Sequence, residues 1–122
     1  MSPVRLRASI LAGGFVGTLG RALVDKAFQS EIPWSTVLAN LAGTALLGVL
    51  VGRMIRDPTR AHSLGFLGVG LCGALTTFGS MMVQARDLTG SHGLLIASSY
   101  VVGMTAAGLL VAALTVRAAE ER

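Results

Sequence analysis

The chain has 122 residues, room for one small domain, and 52% of them are hydrophobic while only 13% are charged. With a mean hydropathy of +0.70, that charge is too little to cover a soluble surface, so the lipid bilayer is the expected solvent. The net charge of +4 comes from basic residues set between apolar runs, with no aromatic residues interleaved; this argues against nucleic acid and for the loops of a membrane protein.

Apolar runs bounded by charges predict an all-α membrane protein of four transmembrane helices, at about 8–24, 33–52, 63–85 and 92–116. The first run follows Arg5 and Arg7 and is the weakest; it imitates a signal peptide, but the rest of the chain is itself membrane-embedded. The connections are short, about 25–31, 53–62 and 86–91, and none holds a soluble domain. One side of the membrane carries Arg5, Arg7, Arg53, Arg56, Arg60, Arg117 and Arg122, and the other Arg21, Lys26 and Arg86. Seven against three favours both termini in the cytoplasm, a moderate bias.

In the first span Gly13 and Gly17 are four apart, as are Ala39 and Gly43, and Gly48 and Gly52, in the second. Small residues at this interval let helix backbones approach closely, and tight bundle packing is the expectation for most of them. Thr36, Asn40 and Thr44 recur every four residues and share one face of the second helix. An asparagine at that depth needs partners for two donors and two acceptor sites, either as interhelical glue or as the lining of a pore.

The third span carries Gly68, Gly70 and Gly73 ahead of Thr76, Thr77, Phe78, Gly79 and Ser80. Such a run fits a helix broken in its middle, or a kinked one. Broken backbone survives at membrane depth only where protein or an aqueous cavity satisfies it, and the freed groups then serve as ligands for ions.

The spans also exclude chemistry. Asp25, Glu31, Asp57, Asp87, Glu120 and Glu121 all fall in loops or termini, so no buried carboxylate carries protons or pairs with a cationic drug. This disfavours a proton-coupled multidrug exporter, and no acid, base and nucleophile set points to an enzyme. The single cysteine, Cys72, forms no intramolecular disulfide and no zinc cluster is visible. His62 and His92 precede apolar runs and read as interfacial residues. What remains inside is hydroxyls, one amide, glycine backbone and aromatic edges, a lining compatible with an anion.

Three segments carry a family resemblance: GGFVGTLGR (13–21), PWSTVLANLAGTALLG (33–48) and GLCGALTTFGSMM (70–82). With them, nearly the whole chain resembles the small bacterial fluoride channels of the CrcB (Fluc) family. The resemblance implies a multi-pass protein of the bacterial plasma (inner) membrane that lets fluoride leave the cell passively. It implies an antiparallel, dual-topology dimer with two pores. It also implies a structural sodium ion at the dimer interface, held by the backbone carbonyls of Gly73 and Thr76. By position it assigns Asn40, Phe78, Met81, Thr77, Ser80 and Tyr100 to the fluoride pore and Arg21 to its vestibule. The physics agrees with these assignments. Fluoride is strongly hydrated, so amide and hydroxyl donors must replace its water, and a phenylalanine edge is positive enough to touch an anion without trapping it.

The chain departs from the family pattern at Met81, where a second phenylalanine is expected, at Gly79 in place of a serine, and at Gln84 in place of a glutamate. With the uneven basic loops, these departures raise a second possibility beside the homodimer, a heterodimer in which this chain pairs with a homologous subunit.

Overall fold

In the computed structural model, which describes residues 2–29, 32–59 and 63–121, every regular element is helical. Glu31, Arg60, His62 and Arg122, which entered the charge and histidine readings, lie outside the described residues. Helix α1 is Pro3–Ala27 and α2 is Trp34–Arg56. Helix α3 is a π-wound stretch, Leu64–Cys72, ending in one α turn, Gly73–Leu75. Helix α4 is Phe78–His92 and α5 is Leu94–Glu120.

Local chemistry sets the ends. The Ser2 hydroxyl accepts the Arg5 N–H and Pro3 occupies the first turn of α1, where its missing donor costs nothing. Beyond α2, the Asp57 carboxylate accepts both the N–H and the hydroxyl of Thr59 and turns the chain. The connection expected over 86–91 is instead helical. The Thr89 and Ser91 hydroxyls bond back to the Ala85 and Asp87 carbonyls and keep α4 wound to His92. A single residue, Gly93, then reverses the chain at φ +86°, where a side chain would be strained.

Three stretches, Trp34–Arg56, Leu64–His92 and Leu94–Glu120, are long and apolar enough to cross a membrane. Helix α1 has comparable length, 25 residues, but Arg5, Arg7, Arg21, Asp25 and Lys26 lower its hydropathy.

Packing joins the helices in two parallel pairs. Helix α1 lies along α3: a Cβ added to Gly13 or Gly17 would strike the carbonyl of Phe66 or Leu71, and one added to Gly70 would lie 2.6 Å from the Ile10 carbonyl. Helix α2 lies along α5, with Gly48 against Thr115 and Gly52 against Val116 and Ala119. Helix α4 packs on α5. The small-residue spacing therefore acts as expected, letting backbones meet.

The π winding of α3 coincides with a run of glycines. Gly65, Gly68 and Gly70 are buried against neighbouring helices within this wider, less common turn. The deeply buried apolar residues are mostly small or flexible, among them Ala39, Cys72, Met81, Ala97 and Met104. Large ones such as Phe15, Leu95 and Val102 face outward. This inside-out distribution suits a protein dissolved in lipid, where association rests on close packing.

Candidate ion pathway

Between α3 and α4 the chain is extended, with ψ 147° at Thr76 and φ −151°, ψ 120° at Thr77. Thr76 completes α3: its N–H and its hydroxyl both donate to the Cys72 carbonyl, at 3.0 and 2.9 Å. Thr77 opens α4. Its hydroxyl oxygen accepts the Ser80 N–H at 3.2 Å and donates to the Ser80 hydroxyl at 3.2 Å, an N-cap.

Asn40 spans this opening from α2. The Thr77 N–H donates to Asn40 Oδ1 at 2.7 Å, and Asn40 Nδ2 donates to the Thr77 carbonyl at 3.2 Å. One side chain thus satisfies both polar groups of a residue that has left the helix. The break leaves the four carbonyls from Gly73 to Thr76 without their helical donors, Gly73 and Thr76 among them. In a continuous helix the Gly73 carbonyl would accept the Thr77 N–H and the Thr76 carbonyl the Ser80 N–H; here those donors go to Asn40 and to the Thr77 side chain. One turn along α2, Gly43 makes room for Thr76, whose methyl group would lie 2.5 Å from any added Cβ.

A groove of about 420 Å³ runs past the opening between α2, α4 and α5. It brings together five of the residues expected at the ion sites, namely Asn40, Thr76, Thr77, Phe78 and Met81, and adds Thr44, Met104 and Thr105. Phe78 stands at its open side, 69% exposed, whereas Met81 is only 6% exposed. Ser80 is held behind Thr77 as its cap partner. Gly73 lies on another face, in an apolar hollow beside α1 with Phe15 and Gly70. Arg21 sits half-buried on α1, outside the residues that line the groove.

Tyr100 joins a second polar contact. Its hydroxyl donates to Gln84 Oε1 at 3.0 Å, and Gln84 Nε2 donates to the Thr36 hydroxyl at 2.7 Å. The chain of bonds ties α5 to α4 and α4 to α2. Sequence reasoning noted Gln84 only as a departure. The available signals were the Thr36–Asn40 spacing and an amide inside an uncharged run.

No ionised side chain lines the groove, and no group of three His, Cys, Asp or Glu that could hold a metal occurs among the described residues. The parallel pairs gather Arg5, Arg7, Arg53, Arg56 and Arg117 at one end of the bundle and Arg21, Lys26 and Arg86 at the other. The middle offers an anion neutral donors and offers a cation main-chain oxygens.

The profile of the family described as CrcB-like protein, Camphor Resistance (CrcB), matches residues 8–116. The chain belongs to the CrcB family. Its relatives include the fluoride-specific ion channel FluC 1 of Mycolicibacterium paratuberculosis, 36% identical over 107 residues that cover 84% of this chain and 81% of the relative. The fluoride-specific ion channel FluC of Nitratidesulfovibrio vulgaris is 35% identical over 106 residues, 83% of this chain and 86% of the relative. That of Stutzerimonas stutzeri is 35% identical over 114 residues, 89% of this chain and 92% of the relative. With its long apolar helices, this CrcB chain is a multi-pass membrane protein. Its segment 13–21 supplies the glycine seam against α3, segment 33–48 supplies Asn40 and Gly43, and segment 70–82 contains the backbone opening.

Proposed function

We propose that this chain is a subunit of a passive, fluoride-selective channel in the bacterial plasma membrane, and not an enzyme. The observation that carries the reading is the opening at Thr76 and Thr77, set beside Asn40 and Phe78 in a chain whose relatives of similar length are named fluoride-specific channels. Helix α1 completes four spans. The third span, broken between α3 and α4, exposes polar groups that a plain lipid-facing helix would keep closed.

Two copies meet in antiparallel orientation with the groove at their interface. Such a pairing covers Phe78, which the single chain leaves exposed. Fluoride passes among the donors of Asn40, Thr77 and Ser80 and the edge of Phe78, with Tyr100 beyond and Arg21 drawing anions toward the mouth. Contacts of this kind are weak and repeated, which suits passage over tight binding. No energy source or proton coupling enters, because no carboxylate lines the groove.

The same backbone opening would offer oxygen ligands to a structural sodium ion. The Gly73 and Thr76 carbonyls are hard oxygen ligands whose helical donors are engaged elsewhere. Contributed by both copies, they would hold the ion where the copies meet, and its positive charge would favour a nearby anion.

The decisive experiment is fluoride efflux from liposomes containing the purified chain, read with a fluoride electrode in sodium and in sodium-free medium. Efflux of fluoride and not chloride, lost without sodium, is expected; no efflux in either medium overturns the reading of a self-sufficient channel. A second reading has its own support. Met81 is buried where the resemblance places a phenylalanine, and one end of the bundle is more basic than the other. On that reading the chain conducts only beside a homologous partner of opposite orientation, and adding that partner restores the efflux.

A further inference from the structure

We propose that Asn40 is a positioning residue that holds the backbone opening apart, in addition to lining the groove. By taking the N–H and the C=O of Thr77 together, its amide keeps that N–H from the Gly73 carbonyl and prevents α3 and α4 from winding into one helix. Where sodium is concerned, this inference rests on the function proposed above.

The geometry is specific to a carboxamide. The two bonds, 2.7 Å to Oδ1 and 3.2 Å from Nδ2, run to the two polar atoms of one residue. A carboxylate accepts but does not donate, and an apolar side chain does neither. Without Asn40, the part-buried N–H of Thr77 loses its partner at membrane depth, a large penalty in hydrocarbon, while its C=O keeps only the first helical bond of α4. The nearest relief for the N–H is the helical bond to Gly73, and that bond closes the opening.

Helix α2 is built for the task at adjacent turns. Asn40 meets Thr77, and Gly43, bare of a side chain, receives Thr76. The N-cap formed by Thr77 and Ser80 sets the start of α4, whose first helical bond takes one lone pair of the Thr77 carbonyl, and leaves the Thr77 N–H and the other lone pair to Asn40. The Asn40 Nδ2 also has a second hydrogen, and Asn40 borders the groove. Holding the backbone and meeting an anion are therefore compatible in one side chain.

The test is nuclear magnetic resonance of the full chain in micelles, labelled in threonine, comparing wild type, Asn40→Ala and Asn40→Asp. In Asn40→Ala the Thr77 signals are expected to change in one of two ways. Either the amide exchanges about tenfold faster, the scale set by one lost hydrogen bond, or its Cα and Cβ shifts move from extended to helical values. Unchanged shifts with unchanged exchange overturn the proposal. If Asn40→Ala does not fold, Asn40→Asp decides: it keeps the acceptor and loses the donor, so an unchanged Thr77 carbonyl shift is the overturning result. A second measurement follows melting temperature in sodium against N-methylglucamine. Sodium is expected to raise it in wild type and in Phe78→Ile but not in Asn40→Ala; an equal rise in all three overturns the proposal. If wild type itself shows no sodium response, the sodium assignment fails and the Thr77 signals decide this inference alone.

Discussion

Gly13 of α1 and Gly70 of α3 pack main chain to main chain, so close that a methyl group on Gly70 would lie 2.9 Å from the Gly13 Cα. Gly17 repeats the contact one turn later against Leu71 and Ala74. This seam anchors α3 to α1, while Asn40, Gln84 and Tyr100 tie the other half of the span to α2 and α5. The first half of the interrupted span thus packs chiefly on α1 and also on α2, the second chiefly on α5, and the opening lies between them.

Replacing Gly70 by alanine is expected to force α1 and α3 apart at a cost of about 1–3 kcal/mol, the usual scale of overpacking. Gly90→Ala is the control, since nothing lies within 4 Å of an added Cβ there. It should leave stability unchanged or raise it by up to about 1 kcal/mol through helix propensity. Thermal unfolding in detergent measures both, and equal melting temperatures for the two variants would remove the seam from the argument.

Gln84 is expected to behave as a buried polar connector. Gln84→Leu strands the Thr36 hydroxyl, which is 3% exposed, and takes the acceptor from Tyr100. The expected loss is about 1–3 kcal/mol. Gln84→Glu should be much milder, because the Thr36 hydroxyl can rotate to donate and Tyr100 already donates. If both variants melt together, well below wild type, the network is not held by these hydroxyls.

Phe78 and Met81 should separate conduction from stability. Phe78 is mostly exposed and Met81 almost wholly buried on the same groove. Phe78→Ile is expected to cut fluoride efflux severely with little change in melting temperature. Met81→Ile should cost less efflux and more stability. Equal loss of efflux from both would show that the pore is assigned to the wrong residues.

Much of this arrangement was legible in the sequence because lipid simplifies the code. Uncharged runs mark the helices, and glycines every four residues mark where backbones meet. The stripe of Thr36 and Asn40 marked a polar face, and the glycine and threonine cluster marked the disturbed part of the third span. Other features depended on pairings that spacing alone does not carry. Nothing in the linear order assigns the Asn40 amide to the peptide of Thr77 rather than to another helix or an ion. The helical stretch over 86–91 was read as a loop because Arg86 and Asp87 interrupt the apolar run, whereas the Thr89 and Ser91 hydroxyls and the late turn at Gly93 carry α4 past them. The π winding of α3 has no counterpart in the spacing of its residues.

Orientation in the membrane supplies the last prediction. The C-terminal ends of α4 and α5 lie at opposite ends of the bundle, so Ser91 and Ala118, both exposed, report opposite faces. In a Cys72→Ser background, cysteines placed singly at these positions should both react with an impermeant maleimide on intact cells, and to similar extents, if the chain inserts both ways to form an antiparallel homodimer. The basic residues oppose this outcome. Arg53, Arg56 and Arg117 with Arg5 and Arg7 outnumber Arg21, Lys26 and Arg86, and the more basic side prefers the cytoplasm. A moderate excess leaves both orientations accessible, and equal labelling is the expected result. Reaction at Ser91→Cys alone would mean a fixed orientation. The homodimer would then be impossible, and a homologous partner inserted the other way would have to supply the second half of the interface.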